Sequence, residues 1–290
     1  AGVNAGNSIA SGGNYNTVVG DEAGTALTTG DNNVAVGFEA LKTEDGHGQN
    51  VAVGYRALKT LNAGGDAHNT AVGNLAGEDV TTGTGNTLIG SLSGMGLTTG
   101  GSNTALGYNS LEVDTAGSKT VAIGFNALQA QNFSSATDSH NTAVGYNSGL
   151  VVTTGTNNTL IGGLAGDALT DADNNVALGH LSLTTDTKGS RNTALGYATL
   201  QTQNFTSATN SNNTAVGYAA GSALTTAQEN TLIGSRAGIS ITDSNDNVAV
   251  GYRALENETR GSRNTAIGHD ALGTQNNTSS TAIYNTAVGH

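Results

Sequence analysis

The sequence has no cysteine, no tryptophan and no proline, and aromatic residues fill only 4% of its 290 positions. Without cysteine there is no disulfide framework, no thiol nucleophile and no cysteine-based zinc site, and redox chemistry gives no clue to compartment. With so few aromatics, the apolar content is mostly Ala, Val, Leu and Ile in short bursts, unlike the core of an ordinary globule. Ten Lys and Arg stand against 22 Asp and Glu, a net charge of -12 without a basic cluster, which argues against nucleic acid. No run approaches the ~20 apolar residues of a membrane span, so membrane insertion is not expected, and no signal-peptide pattern is read. Because the chain starts at Ala1 rather than Met, the expectation is a lost leader or a segment of something longer. Disorder would suit a chain with 43 Gly, but only 11% of residues are charged and the apolar bursts are strictly periodic.

What the chain does have is one phrase, repeated. Asn141-Thr142-Ala143-Val144-Gly145-Tyr146 recurs in variants such as Asn33 to Gly37, Asn86 to Gly90, Asn192 to Gly196 and Asn285 to Gly289. Its glycine falls at 2, 20, 37, 54, 73, 90, 107, 124, 145, 162, 179, 196, 217, 234, 251, 268 and 289. The spacings, 18, 17, 17, 19 and then 17, 17, 17, 21 three times, predict four super-repeats of four coils, 2–72, 73–144, 145–216 and 217–288. Four residues before the glycine stands Asn, with Thr120 the one exception from Asn16 to Asn285. Thr or Val, then Ala or Leu, then Val, Ile or Leu follow, a short β-strand pattern ended by a glycine that supplies a turn or a close backbone approach.

The second half of the coil comes in two kinds. Where the fourth residue after the glycine is Gly, the seventh is apolar, as in Gly94 with Leu97 or Gly166 with Leu169. Where the fourth is Leu, the seventh is mostly acidic or Gln, as in Leu41 with Glu44, Leu111 with Asp114 and Leu128 with Gln131; Leu58 with Leu61 breaks the rule. Each coil thus inserts about one large aliphatic residue from one of two places.

The expected fold is all-β, a parallel β-solenoid of about 16 coils of ~17 residues forming a single repeat domain over 1–290, and at ~4.8 Å per coil a rod of roughly 75 to 80 Å. The Asn column, including Asn33, Asn50, Asn69, Asn86, Asn103, Asn141 and Asn158, is expected to stack as an amide ladder, or else to serve turn geometry. Both faces of the strand are apolar, so one lines the coil interior and the other calls for a partner surface, best supplied by a parallel homo-oligomer, with a trimer the preferred count. Every fourth coil carries an insertion, Gln129 to His140, Gln201 to Asn212, Gly273 to Tyr284 and a shorter Lys59 to His68. These loops are expected to project from one side, which makes Asn132, Phe133, Asn204, Phe205, Asn276 and Asn277 the candidate binding residues, beside the plainer reading of an insertion tolerated at a turn.

The phrase Asn-Thr-Ala-Val-Gly-Tyr-x-Ala-Leu, followed by Thr-Thr-Gly-x-Asn and the phrase again, resembles the head repeats of trimeric autotransporter adhesins and the repeats of phage tail-fibre and tail-fibre-like surface proteins. The resemblance runs from Gly2 to Gly289. It implies a left-handed parallel β-roll packed as a trimer, in an extracellular, cell-surface or virion appendage.

Chemistry-bearing patterns are few. His180, His269 and His290 occupy the column otherwise held by Tyr, and His68 and His140 precede the Asn of equivalent coils, so repeat position accounts for them and no enzyme is expected. No cofactor is expected; calcium is weighed only at the acidic turns holding Asp171 and Asp173, and Asp243 and Asp246. Phe38, Tyr55, Tyr108, Phe125, Tyr146, Tyr197, Tyr218 and Tyr252 follow the motif glycine and are expected to stack, as inter-chain packing or as a carbohydrate platform. The leading functional expectation is a structural and adhesive fibre, its partners being copies of itself and a cell-surface glycan or protein receptor. A self-assembling extracellular filament is the alternative, with ice binding by a Thr array behind it.

Overall fold

A computed structural model describes residues 2–290, so Ala1 lies outside the described residues. The chain is an all-β parallel solenoid of about 16 turns, with no helix among the described residues. It divides into two units, Ala1–Asn141 and Thr142–His290. The first contains seven stacked core strands: Thr17–Val19, Val34–Val36, Val51–Val53, Thr70–Val72, Thr87–Ile89, Thr104–Leu106 and Val121–Ile123. The second contains nine: Thr142–Val144, Thr159–Ile161, Val176–Leu178, Thr193–Leu195, Thr214–Val216, Thr231–Ile233, Val248–Val250, Thr265–Ile267 and Thr286–Val288.

Within each unit every pairing is parallel and holds the motif in register, for example Leu88 beside Ala105 and Ala194 beside Ala215. The backbone of one coil is satisfied by its two neighbours: Val34 N–H donates to the Asn50 carbonyl, and Gly37 N–H to the Val19 carbonyl, both at 2.8 Å. Only the middle residue of each strand enters the core, Ala35, Ala71, Leu88 and Leu160 among them, all fully buried. Its two neighbours face outward.

The turns rest on left-handed backbone at three places per coil. The residue two after the motif glycine takes φ near +55°, as at Arg56 (56°) and Arg236 (61°). So does the residue four after it, whether glycine or leucine: Gly94 is at 56° and Leu111 at 52°. For leucine this conformation costs roughly 1–2 kcal/mol. Burying the side chain returns roughly 1.5–3 kcal/mol, which decides the matter, since Leu41, Leu58, Leu111 and Leu128 are fully buried. In the glycine coils a Cβ would instead press on neighbouring leucines, 2.6 Å from Leu88 Cδ2 and 3.0 Å from Leu97 Cδ1 at Gly94. The expected exchange between two sources of one aliphatic group is therefore what fills the core, with Leu97 and Leu169 also fully buried.

The Asn column forms a ladder, but its main rung differs from the expected one. The Oδ1 of one Asn accepts the backbone N–H of the next: Asn50 to Asn33 at 3.0 Å, Asn69 to Asn50 at 3.1 Å, Asn86 to Asn69 at 2.9 Å and Asn103 to Asn86 at 3.0 Å. Its Nδ2 donates across the turn, from Asn69, Asn86, Asn103 and Asn158 to the carbonyls of Gly83, Gly100, Gly117 and Ala172. Side-chain to side-chain bonds occur at some steps, such as Asn50 to Asn33 at 3.3 Å. The left-handed conformation falls on the residue before the ladder Asn, as at Asn32 and Gln49, so turn geometry is its neighbour's task. After a long insertion the ladder amide also reaches a glutamine: the Nδ2 of Asn141 donates to Gln131 Oε1 at 2.8 Å, and that of Asn213 to Gln203 Oε1 at 2.9 Å.

Charged residues on the turns stack with opposite signs. In the first unit Glu39 receives Lys42 at 2.7 Å, Arg56 at 2.8 Å and Lys59 at 3.4 Å, and the hydrogen bond from Lys42 holds its carboxyl below the ordinary value. In the second, Glu256 receives Arg236 at 2.7 Å and Arg253 at 2.5 Å.

Candidate functional site

The insertions fold back against the coil instead of standing away from it. The three longer ones each add a short parallel pair beside the main sheet: Gly117–Ser118 with Thr137–Asp138, Gly189–Ser190 with Thr209–Asn210, and Gly261–Ser262 with Thr281–Ala282. Phe133 and Phe205, expected on a projecting loop, are only 5% and 6% exposed, because their rings close the core where the longer coil opens it. Asn132 and Asn204 remain at the surface, each with its side-chain oxygen accepting from the hydroxyl of Thr115 or Thr187. Asn276 repeats that contact with Thr259 at 3.0 Å, and Asn277 is half-buried. What these loops present outward is thus a strip of small polar groups.

Beneath the loops lies chemistry that the sequence signalled only through the polar residue seven places after the glycine. Asp114 is fully buried; its Oδ1 accepts N–H from Gly117 and Phe133, and its Oδ2 accepts Gln131 Nε2 at 2.7 Å. Asp186 repeats the arrangement with Gly189, Phe205 and Gln203. Glu258 repeats it with Gly261, Asn277 and Gln275. These carboxylates tie each inserted loop to the coil before it.

Two of them titrate in opposite senses. Burial pushes Asp114 above the ordinary aspartate value, and its four hydrogen bonds, from Gln131, Phe133, Gly117 and Thr115, only partly offset that. Burial also raises Glu258, but there the hydrogen bonds from Gln275, Gly261 and Asn277 outweigh it and the carboxyl sits below the ordinary glutamate value. Glu258 therefore contributes stability above the ordinary glutamate range that is lost as pH falls through its folded value. For Asp114 the contribution is present below the ordinary aspartate value and lost as pH rises through the folded one. In thermal melts at stepped pH, Glu258→Gln should lower the melting temperature most at neutral pH and least in acid; an equal loss at all pH values would contradict the assignment.

The outer surface of the strands carries two exposed columns. In the position before the motif glycine, Leu106, Leu178, Leu195, Ile233 and Ile267 are each 38–44% exposed. In the position after it the rings stack in short ladders, Phe38 on Tyr55 at 5.5 Å and Tyr108 on Phe125 at 5.4 Å in the first unit. In the second unit His180, Tyr197 and Tyr218 form a stack of three, with centroids 5.8 and 5.5 Å apart. The rings are open to solvent, Tyr197 48% and Tyr218 58% exposed.

The aspartates weighed as calcium ligands do not converge on one point. Asp171 faces Lys188 at 3.4 Å, Asp243 faces Arg260 at 3.4 Å and Asp246 faces Arg263 at 3.4 Å. Asp173 Oδ1 accepts both the N–H and the hydroxyl of Thr156. Among the described residues the one cluster with metal-ligating geometry is elsewhere, at Glu44, Asp45 and His47. The sequence's signal for it was the following coil, in which Leu61 breaks the polar rule.

No helix among the described residues is long and apolar enough to cross a membrane. Comparison with protein-family models, with curated proteins and with solved structures found no match to this chain in any of the three.

Proposed function

We propose that the protein is a structural and adhesive fibre element, a non-enzymatic, elongated extracellular rod that assembles as a parallel homotrimer and displays a host- or surface-binding region. The observation that carries this reading is the outward apolar column. Strand residues such as Leu106, Leu178, Leu195 and Ile233 recur at the same place in coil after coil and stay in contact with water in a single chain. A repeated apolar column of this kind marks an interaction site, and its periodic partner of matching spacing is a second copy of the same column. Left-handed winding and the 72-residue super-repeat as the structural unit belong to the same proposal. The open rings of Tyr197 and Tyr218 suit the flat apolar face of a sugar, which makes a cell-surface glycan the favoured receptor class over a protein.

Sedimentation equilibrium should return three times the 28.7 kDa of one chain. A clean monomer would remove the trimer. The triple variant Leu106→Lys, Leu178→Lys, Leu195→Lys should shift the protein to monomer while its β-type circular dichroism persists, since these side chains face away from the core. Electron microscopy of the same sample separates discrete particles from end-to-end polymers, which is the filament alternative.

A further inference from the structure

We propose that Glu44, Asp45 and His47 form a binding site for a divalent transition cation of the zinc class. One ligand atom from each of the three lies within 4.8 Å of the others. His47 Nδ1 is 3.3 Å from Glu44 Oε1 and 3.7 Å from Asp45 Oδ1. Ligands on a tetrahedral zinc at about 2.0–2.2 Å stand about 3.4 Å apart, so the triangle is already close to the size the ion requires. The donor set, one imidazole and two carboxylates, suits zinc better than calcium, which prefers oxygen alone.

A second observation separates this cluster from a chance gathering of acids. Glu44 is fully buried, and its Oε2 has no hydrogen-bond partner. The chain supplies its own controls, because Asp114, Asp186 and Glu258 hold the same coil position. In each of those, the second carboxylate oxygen accepts the amide of a glutamine one coil on: Gln131, Gln203 or Gln275. One coil on from Glu44 that glutamine is replaced by Leu61, which is fully buried and offers no donor. A buried, ionisable oxygen without a donor is costly; the Glu44 carboxylate keeps the Ala63 backbone N–H and His47 as partners, but the amide that answers the second oxygen in the other three coils is missing.

The third ligand comes from a matching exchange. His47 stands where the other three coils have Gly117, Gly189 and Gly261. A Cβ built on Gly117 would fall on Asp114 Oδ2, and one on Gly189 would fall on Asp186 Oδ2. Any side chain at this place is therefore aimed at the buried carboxylate. Here it is an imidazole. The loss of the glutamine and the gain of the histidine occur together, and Asp45 replaces the Thr of the other coils (Thr115, Thr187, Thr259). The His47 side chain is 30% exposed and that of Asp45 53%, which leaves a solvent route to the ion and a place for water as a further ligand.

The test uses the whole chain, stripped with chelator, desalted and titrated calorimetrically with zinc chloride. One zinc per chain is expected, with a rise in melting temperature. His47→Gly, which restores the residue of the other three coils, and Leu61→Gln, which restores the amide donor to Glu44, should each weaken zinc binding at least tenfold and abolish the rise. Circular dichroism checks that both variants fold, and the first introduces only what three other coils already tolerate. His269→Gln should bind as the parent does. Absence of zinc binding by the parent overturns the proposal, and so does unchanged binding by His47→Gly and Leu61→Gln or its loss in His269→Gln, either of which would place the ion at the exposed histidine column.

Discussion

Replacing Gly179 with alanine is expected to remove roughly 4 kcal/mol of unfolding free energy, from backbone strain and steric overlap of 1–3 kcal/mol each. The glycine sits at φ +139°, where side chains of L-residues are rarely found, and its Cβ would fall on the carbonyl oxygen of Gly196 in the next coil. Neither contact can yield: the obstacle is backbone, and that backbone is itself held by hydrogen bonds, Gly196 N–H donating to the Leu178 carbonyl at 2.8 Å. The same backbone conformation recurs from Gly20 to Gly289, with φ between 127° and 146° throughout. The control is Gly65→Ala. Nothing lies within 4 Å of a Cβ there, and the change should stay within about 0.5 kcal/mol. Denaturant melts of both variants decide it, and equal losses would mean that glycine content rather than stacking distance sets stability.

The second large effect is expected at the ladder. Asn86 is fully buried; its Oδ1 accepts Asn103 N–H at 3.0 Å and its Nδ2 donates to the Gly100 carbonyl at 3.0 Å. Asn86→Ala leaves both backbone groups buried without partners, at about 1–3 kcal/mol each, so a loss of about 2–6 kcal/mol follows. Aspartate at this place restores the acceptor but not the donor and should recover part of it. Hydrogen exchange gives a local readout: the amide of Asn103 should lose protection before distant coils do, because each coil leans on its nearest neighbours. Retained protection at Asn103 in the alanine variant would show that the ladder is not what holds that amide.

Much of the fold was legible because the chain repeats itself. The motif spacing gave the register, and the strand triplet gave the buried middle residue, since sterics and burial act there on a few positions at a time. The exchange of Gly94 with Leu97 for Leu111 also reads directly as conserved core volume. Less legible was that Leu111 accepts a left-handed backbone, because the cost is local while the return comes from packing in three dimensions. The polar residue paired with it was visible as a pattern, but not its burial. In the structure Asp114 and Gln131 meet inside, and no pattern along one coil reveals a hydrogen bond made between two coils. Phe133 and Phe205 were misplaced for a related reason: an insertion signals a loop, but not which of its side chains turns back into the gap it creates. The cluster of Glu44, Asp45 and His47 was visible only as an exception, Leu61, whose meaning depends on the Glu44 oxygen it leaves without a donor.

The buried carboxylate and glutamine pairs have a consequence for how the chain finds its fold. Coils that are nearly alike invite errors in which one coil is skipped and the next takes its place, with strand triplets such as Thr142–Val144 and Thr214–Val216 almost interchangeable. Asp114 must meet Gln131, and Asp186 must meet Gln203; a skipped coil would set the carboxylate against a buried aliphatic such as Val152 or Leu224 instead. An unpaired buried charge costs several kcal/mol, more than any one strand triplet regains. The pairs thus act as index marks on an otherwise uniform scale, so that a repetitive sequence counts its own coils correctly as it folds.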